Sequence, residues 1–420
     1  MWLNKSGIIK LLLLFFVALN ISAYAQSPLK LSLEDSIKMA LENNENIEIY
    51  KQIKESAKWQ LNSTKKAKGV NITWQSNLYR ISSNIYNTNF GNTLSMQVPI
   101  STGRRIEENI NQQRLQLDSA DISLKNEEQL IRFAVIEAYY NVLQKQNLLT
   151  IAESGVRMSS EQMDVIQTQY DEGTLVKSDL LHMQIELANY QQGLIDAKGS
   201  LEIAENQLLS LMGLPDDTQF ETTDKFEYTP YPMTLKECLD FAKANRLDSK
   251  IAKNAVKQKE TQIKILKSEE KPNISAVANK SITDNNAAHF NRSESWEAGV
   301  VMTWKIFNNN ATKDSVKAAE AEVKRAKAEV DGVDKNIILQ TKSAYIKMKA
   351  AEKNIETSAE AVLKAKENLS IAQARYEEGV DILLNLTDAQ EKLIRAGTNY
   401  YTALYEYNLG RANLEKAIGK

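Results

Sequence analysis

Few residues of this chain have types and spacings suited to chemistry. The sequence has two histidines, His182 and His289, and one cysteine, Cys238, and all three are isolated along the chain. It contains no phosphate-binding glycine loop, no Cys-x-x-Cys pair and no His-x-x-x-His pair. A nucleophile with a neighbouring base cannot be identified either. We therefore predict that the chain is not an enzyme and that it has no metal site and no cofactor.

Amino-acid composition further narrows the class of protein to which the chain can belong. The formal net charge is −2, so there is no basic field that would hold nucleic acid, and we predict no nucleic-acid partner. Only 15 glycines and 6 prolines occur in 420 residues, which favours long helices. The chain is thus predicted to be mainly α-helical.

The sequence is organised as an internal repeat. The segment Gln169–Gly173 recurs in register as Ala374–Gly379, with Tyr170 and Tyr376 separated by 206 residues. Upstream, the segment that begins at Leu31 resembles the one that begins at Met233. A long repeat indicates that each copy is one structural unit stacked on the other. We predict a first repeat over residues 26–217, a linker over 218–232 and a second repeat over 233–420.

Each repeat is predicted to contain an unusually long antiparallel helical hairpin. From Ala319 to Tyr376, apolar and small residues recur in alternating steps of three and four, the seam of a coiled coil, with one slip near Tyr345. Gly332 and that slip are candidate breaks. Glycines that accept positive φ, Gly173 and Gly379, end the long helices. The returning helices are expected at about 178–211 and 384–418, and a further helix precedes each repeat at 33–66 and 235–268.

Between the first helix of each repeat and its long helix, the spacing of apolar residues changes to every second residue. Residues 296–306 alternate apolar and mostly polar side chains, and together with shorter runs they predict one β-hairpin per repeat, at about 70–100 and 273–307. A soluble sheet has the same alternation. The strand length suits a tilted membrane strand, however, and aromatic residues lie where a membrane interface would be. These predicted interface aromatics are Trp74, Tyr79, Trp296 and Trp304.

The first 25 residues are typical of a cleaved secretory signal. Lys5 and Lys10 accompany an apolar run, and Ala23-Tyr24-Ala25 forms a small-x-small cleavage site. A membrane anchor is the alternative, but the apolar run is short for a span. Four strands cannot close a barrel, and open edges are not tolerated in lipid. Two chains would supply eight strands and three would supply twelve, so we expect several chains per barrel.

Taken together, the signal, the duplicated order of helix, β-hairpin and helical hairpin, and the Tyr-x-x-Gly turns resemble the TolC-like outer-membrane efflux protein family. Arg375-Tyr376-Glu377-Glu378-Gly379, followed by Leu386-Thr387-Asp388-Ala389-Gln390, is similar to that family's Arg-Tyr-x-x-Gly and Leu-x-Asp-Ala-Gln segments. The resemblance covers nearly all of the chain after the signal.

This resemblance implies a homotrimer in the outer membrane of a Gram-negative bacterium. Four strands per chain would complete a 12-stranded β-barrel in lipid, and duplicated helical hairpins would form an α-barrel that serves as a periplasmic tunnel. The implied function is a passive, gated exit duct of a tripartite efflux pump or type I secretion system. Its implied partners are a periplasmic adaptor and an inner-membrane transporter of RND or ABC type.

The resemblance also implies gate residues at the periplasmic entrance. Asp388 matches one acidic position of the family's entrance, whereas Asn385 stands where a second acidic residue is expected. Asp179 matches a position that helps to latch the closed entrance, and Asp381 stands where a basic partner is expected. Three copies of Asp388 near one axis would attract cations. Alternatively, Asp388 and Asp179 are ordinary solvated helix residues.

The turns of the helical hairpins would be the tips of the tunnel and would dock the adaptor. The residues of this predicted docking site are Tyr170, Asp171, Glu172, Gly173, Arg375, Tyr376, Glu377, Glu378 and Gly379. Two other functions remain open from the sequence: a periplasmic adaptor, which has a single helical hairpin, and an exported coiled-coil scaffold.

Overall fold

The computed structural model describes residues 29–81, 87–284 and 292–420; the predicted signal segment, residues 1–25, lies outside them, as does His289. Within these residues the chain forms eight helices and six strands. The first half runs β1 (Leu29–Leu31), α1 (Leu33–Asn43), α2 (Glu45–Lys66), β2 (Asn71–Ile81), β3 (Asn87–Ser101), α3 (Arg105–Asp171), α4 (Lys177–Met212) and β4 (Phe220–Thr222). The second runs α5 (Leu235–Asn245), α6 (Leu247–Ser268), β5 (Asn273–Asp284), β6 (Arg292–Thr303), α7 (Ala311–Glu377) and α8 (Leu383–Ile418).

The long helices repeat with the spacing found in the sequence. Helices α3 and α7 each contain 67 residues, and helices α4 and α8 each contain 36. Neither Gly332 nor the slip near Tyr345 interrupts α7, because no proline intervenes and a helix tolerates a single glycine. The candidate breaks at these two positions do not occur.

The helix expected at 33–66, and its counterpart at 235–268, are each divided in two. Asn44 has an extended backbone, and its side-chain oxygen accepts a hydrogen bond of 3.0 Å from the backbone N–H of Asn46. It therefore caps α2 instead of continuing α1. In the second half, Arg246 has ψ 126°, which ends α5 and starts α6. Each expected helix is thus a short helix followed by one of 22 residues.

The chain forms two compact units, and each takes segments from both halves of the sequence. One unit contains the described residues up to Glu42, with Ala134–Tyr228 and Ile355–Tyr405. In it, β1 pairs in parallel with β4. The phenol of the buried Tyr139 donates to the backbone oxygen of Leu31 and to the carboxylate of Asp224, at 3.0 and 2.8 Å. This small strand pair has no periodic signal in the sequence, and it falls partly in the stretch expected to be a linker.

The other unit contains Asn43–Phe133, Thr229–Asn354 and Glu406–Lys420. Its sheet has the order β2-β3-β5-β6, with every neighbouring pair antiparallel. Its helices pack closely: a Cβ added to Gly410 would lie 3.2 Å from the backbone of Met348. The phenol of Tyr407 donates to the backbone oxygen of Thr229 at 2.7 Å.

The passages from strand to long helix use left-handed backbone in both halves. Gly103 and Arg104 have φ values of 60° and 76°, and the corresponding Asn309 and Asn310 have 53° and 62°. All of these residues except Arg104 are glycine or asparagine, the types that adopt this region most readily. At Gly103 a side chain is also excluded sterically, because its Cβ would lie 2.4 Å from Cβ of Lys271.

Candidate functional site

The turns that join α3 to α4 and α7 to α8 form the candidate docking tip. Gly173 and Gly379 have φ values of 76° and 72°, as predicted for residues just past a helix end. In each turn the residue after the glycine donates its N–H to a carbonyl five residues back, at 2.9 Å for both Thr174 and Val380. These paired bonds satisfy the last carbonyls of the long helices and fix the direction of each turn.

The two tyrosines of the repeated motif are packing residues. Both Tyr170 and Tyr376 pack against a buried cluster that contains Ile166, Leu180, Met183 and Leu383. The phenol of Tyr376 donates to the side-chain oxygen of Gln169 at 3.2 Å, which links the two long helices next to their turns. Burial raises the pKa of Tyr376, and the negative charge of Asp179 adds to the rise. Asp179 therefore lies within electrostatic reach of the second turn.

Asp381 is held by groups of its own hairpin. Its carboxylate accepts from Nδ2 of Asn385 at 2.5 Å and from Nε of Arg375 at 3.0 Å. The hydrogen bond from Asn385, and after it those from the backbone N–H of Ile382 and from Arg375, lowers the pKa of Asp381. The structure thus brings three of the predicted site residues together, Arg375, Asp381 and Asn385, and gives Asp381 a basic partner from the preceding helix.

Asp388 stands apart from that group. It is half exposed on α8, and its carboxylate forms an ion pair of 2.6 Å with Lys392, one turn further along the same helix. His182 takes the corresponding position of the first hairpin, and its Nε2 is buried without a hydrogen-bond partner in the described structure. Within the described part of one chain, no group of three or more His, Cys, Asp and Glu side chains is arranged to hold a metal ion.

The tip also exposes apolar residues that the sequence reasoning did not single out. Its acidic residues Asp171, Glu172, Glu377 and Glu378 are exposed, as is expected of turn residues. Beside them Val176, Val380, Ile382 and Leu384 are more than half exposed. The sequence does contain a signal for them. They follow the glycines that end the long helices, so they lie beyond the apolar seam whose residues are buried. The exposed tip is therefore mixed, acidic and apolar.

The four-stranded sheet has an apolar face and a polar face. On the apolar face Trp74 lies opposite Leu94, Ile72 opposite Met96 and Ala276 opposite Val300. Within the described residues much of this face is exposed: Ile72 is 64%, Trp74 is 62% and Trp296 is 80% exposed. Trp304, just beyond β6, is 51% exposed. Tyr79 lies in β2, but its side chain is outside the described part of the structure.

The opposite face carries hydrogen-bonded polar side chains. Nδ2 of Asn279 donates to the carboxylate of Glu297 at 2.7 Å, and the hydroxyls of Thr93 and Ser281 are 3.3 Å apart. The outer strands β2 and β6 each pair with one neighbour only, so each leaves a row of backbone groups for another strand. Among the described helices, none combines the length and the apolar composition needed to cross a bilayer.

Comparison with known proteins agrees with this arrangement. The chain is 18% identical over 315 residues to outer membrane protein TolC of Escherichia coli, a match that covers 71% of this chain and 63% of TolC. It is 22% identical over 335 residues to the alkaline protease secretion protein AprF of Pseudomonas aeruginosa, covering 78% of this chain and 69% of AprF. The chain thus matches about two thirds of the length of these relatives.

Solved structures have the same fold. The outer membrane protein VceC of Vibrio cholerae superposes with a TM-score of 0.78 at 16% identity, covering 92% of this chain and 96% of VceC. The CmeC outer membrane channel of Campylobacter jejuni superposes with a TM-score of 0.80 at 14% identity, covering 92% of this chain and 85% of CmeC. The predicted fold class, mainly helical with a small sheet, is therefore confirmed.

The sequence pattern of the outer membrane efflux protein family matches residues 36–214 and 239–420, almost the whole described chain. The resemblance inferred from the repeated turns is confirmed. The chain belongs to the outer membrane efflux protein family.

Proposed function

We propose that this chain is a passive exit duct in the outer membrane, serving a tripartite efflux pump or a type I secretion system. The observation that carries the proposal is the sheet: its exposed face is apolar, its other face is polar, and its strands have the length of membrane strands. A soluble sheet would leave such an apolar surface in water, at a large cost in free energy. The chain conducts rather than catalyses.

The duct is a homotrimer. The free edges of β2 and β6 support this assembly, because backbone groups left unpaired in lipid cost several kcal/mol each. Closing the sheet with further copies removes both edges. Three copies supply twelve strands, enough for a water-filled lumen, whereas the eight strands of two copies would be filled by side chains.

A periplasmic adaptor docks at the helical tip, and through it an inner-membrane transporter of RND or ABC type supplies the energy. The acidic and apolar surface of the tip supports adaptor docking. The exposed apolar side chains of Val176, Val380 and Ile382 offer apolar area that an adaptor would bury. The acidic turn residues around them would fix the orientation of the bound adaptor. Tyr170 and Tyr376 hold this surface in place from beneath.

The entrance is gated near Asp388. Its carboxylate is half exposed on α8 beside Lys392, and three copies around one axis would favour cations. The latch differs from the family pattern, because Asp381 stands where a basic residue is expected and is held by Arg375 of its own hairpin. Asp179 remains a candidate latch residue through its proximity to Tyr376.

The two structural repeats, 26–217 and 233–420 with the linker 218–232, remain the proposed organisation of the mature chain. The removal of residues 1–25 is likewise part of this proposal. The equal lengths of α3 and α7 and of α4 and α8 support it, since a duplication preserves helix length.

Fractionation and gel electrophoresis test the assembly. The expressed full chain should sediment with the outer membrane and run, unheated in detergent, at about three times the mass of the boiled chain. Recovery as a monomer in the soluble periplasmic fraction would instead support an exported scaffold.

A further inference from the structure

The junction between β6 and α7 contains a cleft that the duct function does not use. It has a volume of about 870 Å³ and lies where the chain leaves the sheet and enters the long helix. Its charged lining consists of Lys267, Lys271, Lys305, Lys313, Glu269 and Glu270. Four positive charges against two negative ones leave the cleft with a surplus of positive charge.

The lysines of this cleft have no ionic partners in the described residues. The equivalent junction of the first half is closed by an ion pair of 2.8 Å, in which Lys68, two residues beyond α2, binds Glu107, the third residue of α3. In the second half the same two positions are Glu270 and Lys313, with the signs exchanged. These two form no ion pair with each other, and both line the cleft. One junction is therefore closed by its own charges and the other is left open.

Apolar side chains occupy the same cleft. Ile306 and Phe307 are each 81% exposed, and the indole N–H of Trp304 donates to the backbone oxygen of Glu270 at 2.9 Å. An indole anchored at its polar end, beside unpartnered lysines and exposed apolar groups, is the arrangement found at a membrane–water boundary. Helix α7 also begins beside this cleft, so the positive N-terminal end of a 67-residue helix lies next to the same space.

We propose that this cleft binds the headgroup of an anionic phospholipid of the surrounding membrane, with the phosphate on Lys271, Lys305 and Lys313 and the acyl chains beside Ile306 and Phe307. The inference rests on the proposed function, because it requires the sheet to lie in a bilayer. Lysine contributes about 1 kcal/mol per residue near an anionic membrane surface, which is about fivefold in affinity. Three lysines together predict a difference on the order of 100-fold.

Native mass spectrometry of the detergent-purified full chain tests the proposal. With short-chain phosphatidylglycerol, each wild-type chain should retain one lipid at concentrations where phosphatidylcholine of the same chain length is not retained. Lys271→Gln/Lys305→Gln/Lys313→Gln should bind on the order of 100-fold more weakly. The matched control is Lys324→Gln/Lys335→Gln/Lys342→Gln, which removes three exposed lysines from α7 away from the cleft and should bind as wild type.

Two results would overturn the proposal. One is equal phosphatidylglycerol binding by the cleft variant and wild type. The other is displacement of the lipid by inorganic phosphate at the concentration of the lipid itself, which would indicate a phosphate site. If the triple variant does not form a heat-sensitive oligomer, the three single variants replace it, each with an expected loss of about fivefold.

Conductance of the same samples in a planar bilayer separates this proposal from the duct. If all samples conduct but the cleft variant keeps its lipid, only the lipid site is wrong. If wild type is folded and does not conduct, the duct is wrong whatever the lipid result.

Discussion

At the scale of single residues, Asp381 is where the tip departs most clearly from the family pattern. An acidic residue stands where a basic one is expected, and Arg375 of the same hairpin compensates for it at 3.0 Å. The motif match indicated the position of Asp381 but not its partners. Which side chains meet across a turn depends on the left-handed glycine and on rotamers that sequence spacing does not fix.

Asp381→Asn should loosen the end of α7. The neutral amide removes the ion pair with Arg375, so the last turn of α7 should open more often. We expect tryptic cleavage after Arg375 to become several-fold faster at neutral pH. Glu378→Gln is the matched control, since it removes an exposed charge of the same turn that makes no side-chain hydrogen bond in the described structure, and it should leave the rate unchanged. Equal rates in the two variants would contradict the role given to Asp381.

The pH dependence of this contact follows from the lowered pKa of Asp381. A carboxyl whose folded pKa is depressed contributes stability above its unfolded value, about 3.9 for aspartate, and loses it as the pH falls through the folded value. The cleavage contrast between the two variants should therefore hold across the neutral range. A contrast that disappears between about pH 8 and pH 6 would show that another group controls the turn.

At the scale of elements, the sequence predicted the long helices well and the small strands poorly. The seam of apolar residues in steps of three and four is a strong signal over 67 residues, and the glycines at Gly173 and Gly379 fixed its ends. The breaks at Asn44 and Arg246 were missed, although Asn44 is a favourable helix cap. The strands β1 and β4 have three residues each, too few for any period, and long-range packing alone specifies them.

Three glycines that occupy different backbone environments should respond differently to alanine. Gly103→Ala should destabilise the fold by about 2 kcal/mol or more, because it combines positive φ with a clash at Lys271. Gly379→Ala has open space and should cost about 1 kcal/mol from its positive φ alone. Gly332→Ala, inside α7 with open space, should stabilise by about 1 kcal/mol. Thermal unfolding midpoints measure the order, and a Gly103→Ala midpoint above that of Gly379→Ala would contradict the packing described at the passage.

Tyr139→Phe should weaken the unit that holds the β1–β4 pair. The buried phenol bonds both Leu31 and Asp224, and a hydrogen bond to a charged group contributes about 1.5–3 kcal/mol. We expect a lower thermal midpoint for this variant. Tyr400→Phe is the control, because its hydroxyl makes no hydrogen bond in the described chain. An equal fall of the thermal midpoint in both variants would mean that the hydrogen bonds of Tyr139 do not stabilise this unit.

At the scale of the whole molecule, a single chain leaves strand edges unpaired and apolar surfaces exposed. Within the described residues, much of the apolar face of the sheet is exposed, each outer strand has one unpaired edge, and apolar residues of the helical tip are exposed. The sequence indicated that the four strands of one chain cannot close a barrel. Counting strands alone allowed a barrel of eight strands from two chains or twelve from three. Edge pairing between copies depends on register and tilt, which a single chain does not contain.

Single-channel conductance of the detergent-purified protein in a planar bilayer tests the central claim, that the chain forms a conduit, most directly. Wild type should give small, cation-selective openings. Asp388→Ala should enlarge them or reduce their selectivity, whereas Glu391→Ala, which removes a carboxylate three residues further along α8 with its own partner Arg395, should not. Openings unaffected by Asp388→Ala would leave the duct and remove Asp388 as its gate. The absence of any conductance from a folded, membrane-inserted wild-type oligomer would contradict the duct itself.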